Sequence, residues 1–210
     1  MRKILFLMLS MAFVFTACED KDATLAKGLV GTWYGTGYVD ENETEMGYQF
    51  FEGSEPKTGK FVEITDYRLL MEDFDSEFEI PYTAYAGGTY TVKDGSLILT
   101  YDTETTSIIL DKEAVNEYVT LLQQQDAETG DGFWANEDAE KIAIYFTDTR
   151  EEDLTKLWTE LLDDMNNSEG SGFGDLKVDD KKMSFDTEDV GTLSYERVEK
   201  NIFEEYPFDE

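Results

Sequence analysis

The chain has 210 residues, with 48 Asp and Glu against 17 Lys and Arg, a formal net charge of −31, no histidine and one cysteine. A surface this acidic repels nucleic acid and anionic head groups, and its first consequence is solubility. The missing histidine excludes Ser-His-Asp and Cys-His catalysis and any histidine-bearing zinc site, and a single cysteine excludes an intrachain disulfide. Aromatic residues make up 14% of the chain, which argues for a packed core rather than disorder.

Arg2 and Lys3 precede an apolar run, Ile4 to Phe15, and small residues lead to Cys18. This has the layout of an export signal over residues 1–17, and the apolar run is short for a membrane-spanning helix, which needs about 20 residues. Phe15-Thr16-Ala17-Cys18 resembles the lipobox of bacterial lipoproteins, which implies cleavage before Cys18 and acylation of its thiol. The competing reading is a plain secretory signal with a leftover cysteine. Residues 18–28 then read as a short polar, lipid-anchored tether. Glu19 and Asp20 resemble the acidic signal that sends lipoproteins of the Bacteroidota to the outer face of the outer membrane, so that resemblance implies surface display rather than periplasmic retention.

The folded part begins with Leu29 to Tyr38, which carries Gly31-x-Trp33 at the head of a strand. Met46 to Glu52 and Lys60 to Asp66 form a hairpin around Gly53-Ser54-Glu55-Pro56. Met71 to Glu77 reads as an acidic loop. Phe78 to Tyr85 is a strand in which Pro81 marks an edge or a bulge. Thr89 to Val92 and Leu97 to Tyr101 flank Lys93-Asp94-Gly95-Ser96, and Asp-Gly favours a tight hairpin turn because both positions tolerate positive φ. Thr105 to Leu110 adds a strand.

Asp111 is a good N-cap for a helix over Lys112 to Gln124. A loop, Asp126 to Asp138, and a strand, Ile142 to Thr147, follow. Thr149 and Glu152 form a capping-box pattern ahead of an apolar stripe, Leu154, Leu157, Trp158, Leu161, Leu162 and Met165, which is expected to pack over the sheet. Gly174 to Phe185 repeats the spacing of Gly88 to Leu99, so a second hairpin of the same kind is expected, and Gly191 to Val198 supplies the last strand. Residues 200–210 are an acidic tail.

The fold class is therefore mainly β: an antiparallel meander barrel over residues 29–199 with two inserted amphipathic helices. Gly31-x-Trp33, the meander and the closing Tyr195-Glu196-Arg197-Val198 together resemble lipocalin-like lipoproteins of the Bacteroidota. The resemblance implies a lipocalin-like barrel in which Trp33 lies at the closed end and Arg197, from the last strand, crosses its face. Aromatic residues at strand positions, Tyr34, Phe50, Phe61, Phe78, Tyr82 and Tyr90, either fill such a barrel or line a ligand cavity.

The leading expectation is a non-enzymatic binding module for a small apolar or amphipathic ligand, held by an N-terminal acyl anchor. It needs no cofactor and no metal. Its rival is a structural or interaction protein with a filled barrel, an accessory subunit of a cell-surface complex whose protein partner the sequence leaves unidentified. A cavity above about 300 Å³ separates the two. A weaker third class, a carboxylate-dependent hydrolase, calls for two acids converging in a cleft. Calcium has only Asp73 to Glu77 and Asp126 to Gly132 as dense oxygen stretches, and neither has EF-hand spacing. The anchor has a direct test: Cys18→Ala should release the protein from the membrane fraction or leave it unprocessed, and unchanged acyl labelling of that variant would refute the lipobox reading.

Overall fold

The computed structural model describes residues 20–39, 42–71, 78–130, 134–168, 172–187 and 190–199. The expected export signal 1–17, Cys18, most of the 71–77 loop with its Asp73–Glu77 stretch and the tail 200–210 lie outside them. Eight strands follow one another: β1 (Gly31–Val39), β2 (Asn42–Glu52), β3 (Thr58–Met71), β4 (Phe78–Lys93), β5 (Ser96–Leu110), β6 (Gly172–Val178), β7 (Lys182–Thr187) and β8 (Gly191–Val198). Each pairs antiparallel with the next, and β8 returns to β1, so the sheet closes into a barrel. Closure removes the free edges that would otherwise invite association. Among the described residues, three helices accompany it: α1 (Lys21–Leu29), α2 (Lys112–Thr129) and α3 (Ala139–Asn167).

Two strands are longer than the sequence reading allowed. Phe78 to Tyr85 and Thr89 to Val92 are one strand, β4, and Leu97 to Tyr101 and Thr105 to Leu110 are one strand, β5. Their ladder has one irregularity, where residues 103–106 of β5 bulge opposite Ala86. The bulge inverts the side-chain alternation, so Leu97, Leu99 and Tyr101 before it and Ile108 and Leu110 after it all face one way. Pro81 sits one residue past the last β4–β5 pair, and its carbonyl accepts from the Asp111 N–H at 2.8 Å. An N–H at 81 would point to that same side, beyond the ladder, so the proline forfeits no rung. The Asp-Gly turn is as expected: Asp94 (φ 54°) and Gly95 (φ 78°) are both left-handed, the backbone of a tight hairpin.

The helices correct three expectations. The tether is not irregular: Lys21–Leu29 is α1, with Asp20 as N-cap and Ala26 and Leu29 buried against the barrel. Nine residues are too few for a helix on propensity alone, so packing and capping hold it. Ile142 to Thr147 is not a strand but the second turn onward of α3, which starts at the Asp138 cap rather than at Thr149. A short apolar run cannot tell a strand from a buried helix by period alone. The stripe is only half enclosed: Trp158 and Leu162 are buried, whereas Leu157 and Leu161 are 61% and 40% exposed. Asp111 caps α2 as expected, its carboxylate accepting from the Ala114 N–H at 2.7 Å.

Two cores result. One fills the barrel with Trp33, Phe50, Phe61, Tyr90, Leu97, Leu99, Phe185 and Tyr195. The other lies where β3, β4 and β5 run past the barrel and carry α2 and α3 on the same face, with Ile80, Tyr82, Leu110, Val115, Tyr118 and Trp158.

One end of the barrel is sealed by α1. The indole N–H of Trp33 donates to the Leu29 carbonyl at 2.7 Å. Arg197 pairs with Trp33 across β1 and β8, its guanidinium 4.2 Å from the indole centroid. Its Nη1 donates to the Val30 carbonyl at 2.8 Å and its Nη2 to the Gly28 carbonyl at 2.7 Å. The last carbonyls of a helix have no partner within it and carry its negative dipole end, so a planar cation with several donors suits them. Gly31 is part of the arrangement: its φ is +131°, and a Cβ there would strike the guanidinium. At the other end of α1, the Asp22 carboxylate accepts from the N–H groups of Asp94 and Gly95, both at 3.0 Å, and ties the helix to the β4–β5 turn. Arg197→Met should cost about 2–4 kcal/mol in chemical denaturation, since it leaves two carbonyls unpaired and the indole uncovered. A loss under about 0.5 kcal/mol would mean that closure does not depend on this contact.

Candidate functional site

The barrel interior is unevenly filled. Towards α1 the rings pack on one another: Phe50 meets Tyr90 edge-on at 5.2 Å, Phe61 meets Tyr101 at 5.2 Å, and Phe50 lies 6.2 Å from Phe61. Phe50 and Phe61 are thus filling, and Tyr90, packed with them, reaches only the surface hollow beside α1. Tyr34 points outward, where its hydroxyl donates to Glu45 at 2.8 Å. Phe78 and Tyr82 belong to the helical core, not to the barrel lumen, and the Trp158 indole N–H donates to the Tyr82 hydroxyl at 3.3 Å. None of the six expected lining residues lines a barrel cavity.

The open end holds the pocket. It encloses about 220 Å³. Met46, Tyr48, Glu63 and Tyr101 form its floor, Phe173, Phe185 and Leu193 one wall, and Trp158, Leu161, Leu162 and Met165 of α3 the other, with Val190 at the rim. α3 is needed because β5 and β6 pair only at Leu97↔Phe173 and Ile98↔Gly172. The helix fills the gap beyond that short ladder, and Asn166 replaces the missing strand partner: its amide accepts from the Tyr101 N–H and donates to the Tyr101 carbonyl, both at 2.9 Å. Two larger hollows, about 360 Å³ beside α1 and about 420 Å³ outside β1 and β8, lie on the surface, and neither is lined by a buried carboxyl.

Glu63 is the unusual residue. Only 6% of it is exposed, in an otherwise apolar and aromatic setting. Tyr101 donates to one carboxyl oxygen at 2.6 Å, Thr65 to the other at 3.3 Å, and Tyr48 also bonds to the carboxyl. Burial pushes the Glu63 carboxyl above the usual carboxylate range, against the pull of these three hydroxyls. Burial, with the nearby Glu63 charge, holds the phenols of Tyr48 and Tyr101 well above theirs, so both stay donors. The Tyr195 hydroxyl is buried beside that of Tyr48, whose ring its own meets edge-on at 5.3 Å.

Sequence reasoning missed Glu63 for a physical reason. Val62 and Ile64 on either side are apolar, so simple alternation turns Glu63 outward. In the barrel Phe61, Glu63 and Thr65 face in, while Val62 and Ile64 are buried with Tyr85 in a separate cluster on the other face. The one available signal is a charged residue in a strand whose neighbours are apolar on both faces.

For hydrolysis, a second acid would have to meet Glu63, and among the described residues it is the one carboxyl lining the pocket. Among the described residues, no group of three Asp, Glu or Cys side chains converges as metal ligands. Asp126 spends its carboxylate on the N–H groups of Trp134 and Ala135, at 2.6 and 2.8 Å. No protein-family model, curated protein or solved structure matches the chain.

The raised Glu63 pKa has a defined effect on stability. Below the ordinary value of 4.5 both folded and unfolded states hold the proton, and the contribution is fully present. As pH rises, the unfolded state releases it first, and the contribution is lost until pH passes the folded value. Glu63→Gln removes that loss. Denaturant titrations should show the wild type losing stability relative to Glu63→Gln as pH rises above 4.5. Parallel profiles for the two proteins would show that Glu63 ionises as freely folded as unfolded.

Proposed function

We propose that this protein is a non-enzymatic binding module whose open barrel mouth takes a small amphipathic molecule. The observation that carries this is the mouth pocket itself: apolar and aromatic walls converging on one buried carboxyl with its own hydroxyl donors. Few polar groups set in a concave apolar lining is the usual chemistry of a ligand site. At about 220 Å³ the pocket falls short of the cavity size set out above, and this weighs against lipid-sized cargo and for a compact ligand. A closed eight-stranded barrel with a lipocalin-like order of strands is consistent with such a role.

The anchor fits the same reading. Cys18 lies two residues before Asp20, the N-cap of α1, at the sealed end. The β2–β3, β4–β5 and β6–β7 turns and the β1–β8 junction are at that end, and the pocket opens at the opposite one, among the β7–β8 turn and α3. A protein tethered there, on the outer membrane and facing outward, would present its mouth away from the lipid and draw ligand from the aqueous side. A second reading, an accessory subunit of a surface complex, is favoured by Ile144 and Tyr145 of α3, which are 55% and 66% exposed.

Trp158 provides the test. Titration with n-alkanols of increasing length should give a saturable change in tryptophan emission, strongest for a chain that just fills the pocket, and Trp158→Phe should abolish it. No saturable change for any alkanol would leave the barrel a filled scaffold and favour the accessory-subunit reading.

A further inference from the structure

We infer that the ligand is a small organic cation, an ammonium group on a compact apolar body, for which Glu63 is the counter-charge. The inference rests on the pocket being a ligand site, as proposed above. Its starting point is that Glu63 is a buried carboxyl with no cationic partner. The ion pairs among the described residues, such as Lys57–Asp20 and Arg150–Asp153, all involve partly or fully solvated side chains, and none includes Glu63. Buried acids are ordinarily paired, because an isolated anion in an apolar setting is costly. Here the described residues supply three hydroxyls and no cation, which leaves the carboxyl hydrogen-bonded but without a counter-charge when it ionises.

The surroundings favour a cation over other ligands. Among the described residues, every titratable side chain that faces Glu63 is a phenol: Tyr48 from β2, Tyr101 from β5 and Tyr195 from β8, with the Thr65 hydroxyl beside it on β3. Burial keeps all three phenols protonated. A phenol satisfies a carboxylate and also offers a ring face, and with Trp158 and Phe185 the pocket is lined by π-systems that attract an ammonium in a dry setting. An anionic ligand would meet Glu63 as a like charge. A neutral one would leave the ionised carboxylate without a counter-charge. Beyond the pocket, the net charge of −31 raises the local concentration of cations at the mouth.

The exchange balances. If Glu63 holds a proton in the empty pocket, an entering ammonium takes its place as counter-charge and that proton leaves to solvent. Where the empty pocket holds that proton, binding should therefore release it, and binding should weaken as pH falls through the Glu63 titration.

Calorimetry of the full processed protein with hexylammonium, hexan-1-ol and hexanoate separates the outcomes. Wild type should bind hexylammonium at least about tenfold more tightly than hexan-1-ol and reject hexanoate. Heats in buffers of different ionisation enthalpy should reveal the released proton. Glu63→Gln should lose the preference for the ammonium over hexan-1-ol; if that variant fails to fold, the three-ligand comparison in the wild type decides alone. Diffuse attraction to the acidic surface collapses at about 0.5 M salt, where the Debye length is short, while a buried pair is screened less. Equal affinity for hexylammonium and hexan-1-ol, or a preference that vanishes in high salt, overturns the cation inference but leaves the pocket reading intact. Binding of none of the three overturns both.

Discussion

The structure depends on one guanidinium. Arg197 covers the Trp33 indole at 4.2 Å and holds the carbonyls of Gly28 and Val30, so a single side chain joins the last strand, the first strand and the helix before it. A barrel must bring its terminal strands together against the entropy of the whole intervening chain. Here the contact does so at a site dry enough for the cation–π interaction and the two charge-assisted hydrogen bonds to count. Gly31 belongs to the same unit, since only a residue without a Cβ leaves room for the guanidinium. The Gly-x-Trp spacing is thus the strand half of a joint whose other half is Arg197, more than 160 residues later (|i−j| = 167 to Val30).

Sealing one end shapes the other. With α1 docked and the rings of Phe50, Phe61 and Tyr90 packed above it, the lower barrel is filled by side chains. The upper barrel is where β5 and β6 separate, and α3 enters to close the side. Asn166 pins that helix to the backbone of Tyr101, and the Tyr101 hydroxyl holds Glu63. The site is therefore coupled to the helical core through one amide and one phenol, and Trp158 is shared between the two: it packs in the helical core and walls the pocket.

How much of this the sequence makes legible depends on the range of the interaction that decides each feature. Local chemistry reads well. Asp94-Gly95 marks its turn because both residues tolerate left-handed backbone, and Asp111 marks α2 because its side chain caps the following N–H groups. Features decided by tertiary packing read poorly. α1 looks like a polar linker, because only Leu25, Ala26 and Leu29 reach the barrel. Ile142 to Thr147 has the composition of a strand and is helical because Asp138 starts the turn and Ile142 and Ala143 face the second core. Which face of β3 points inward is fixed by the register Met46↔Thr65 to Phe50↔Phe61, and nothing local reveals that this places a carboxyl inside. Apart from Tyr34, which points outward, the expected lining, drawn from aromatic strand residues, captured the filling of the barrel and the helical core instead, because a ring is as good a plug as a wall.

The central claim is that the mouth admits a small molecule while the sealed end does not. Methyl NMR of protein carrying ¹³C-labelled methionine, titrated with hexan-1-ol, reads both ends at once. Met46 and Met165 line the pocket, whereas Met183, fully buried, pairs with Val178 next to the β6–β7 turn at the α1 end. The account predicts saturable shifts at Met46 and Met165 with Met183 unmoved; still Met46 and Met165 signals at saturating alkanol, or equal movement of all three, would contradict it.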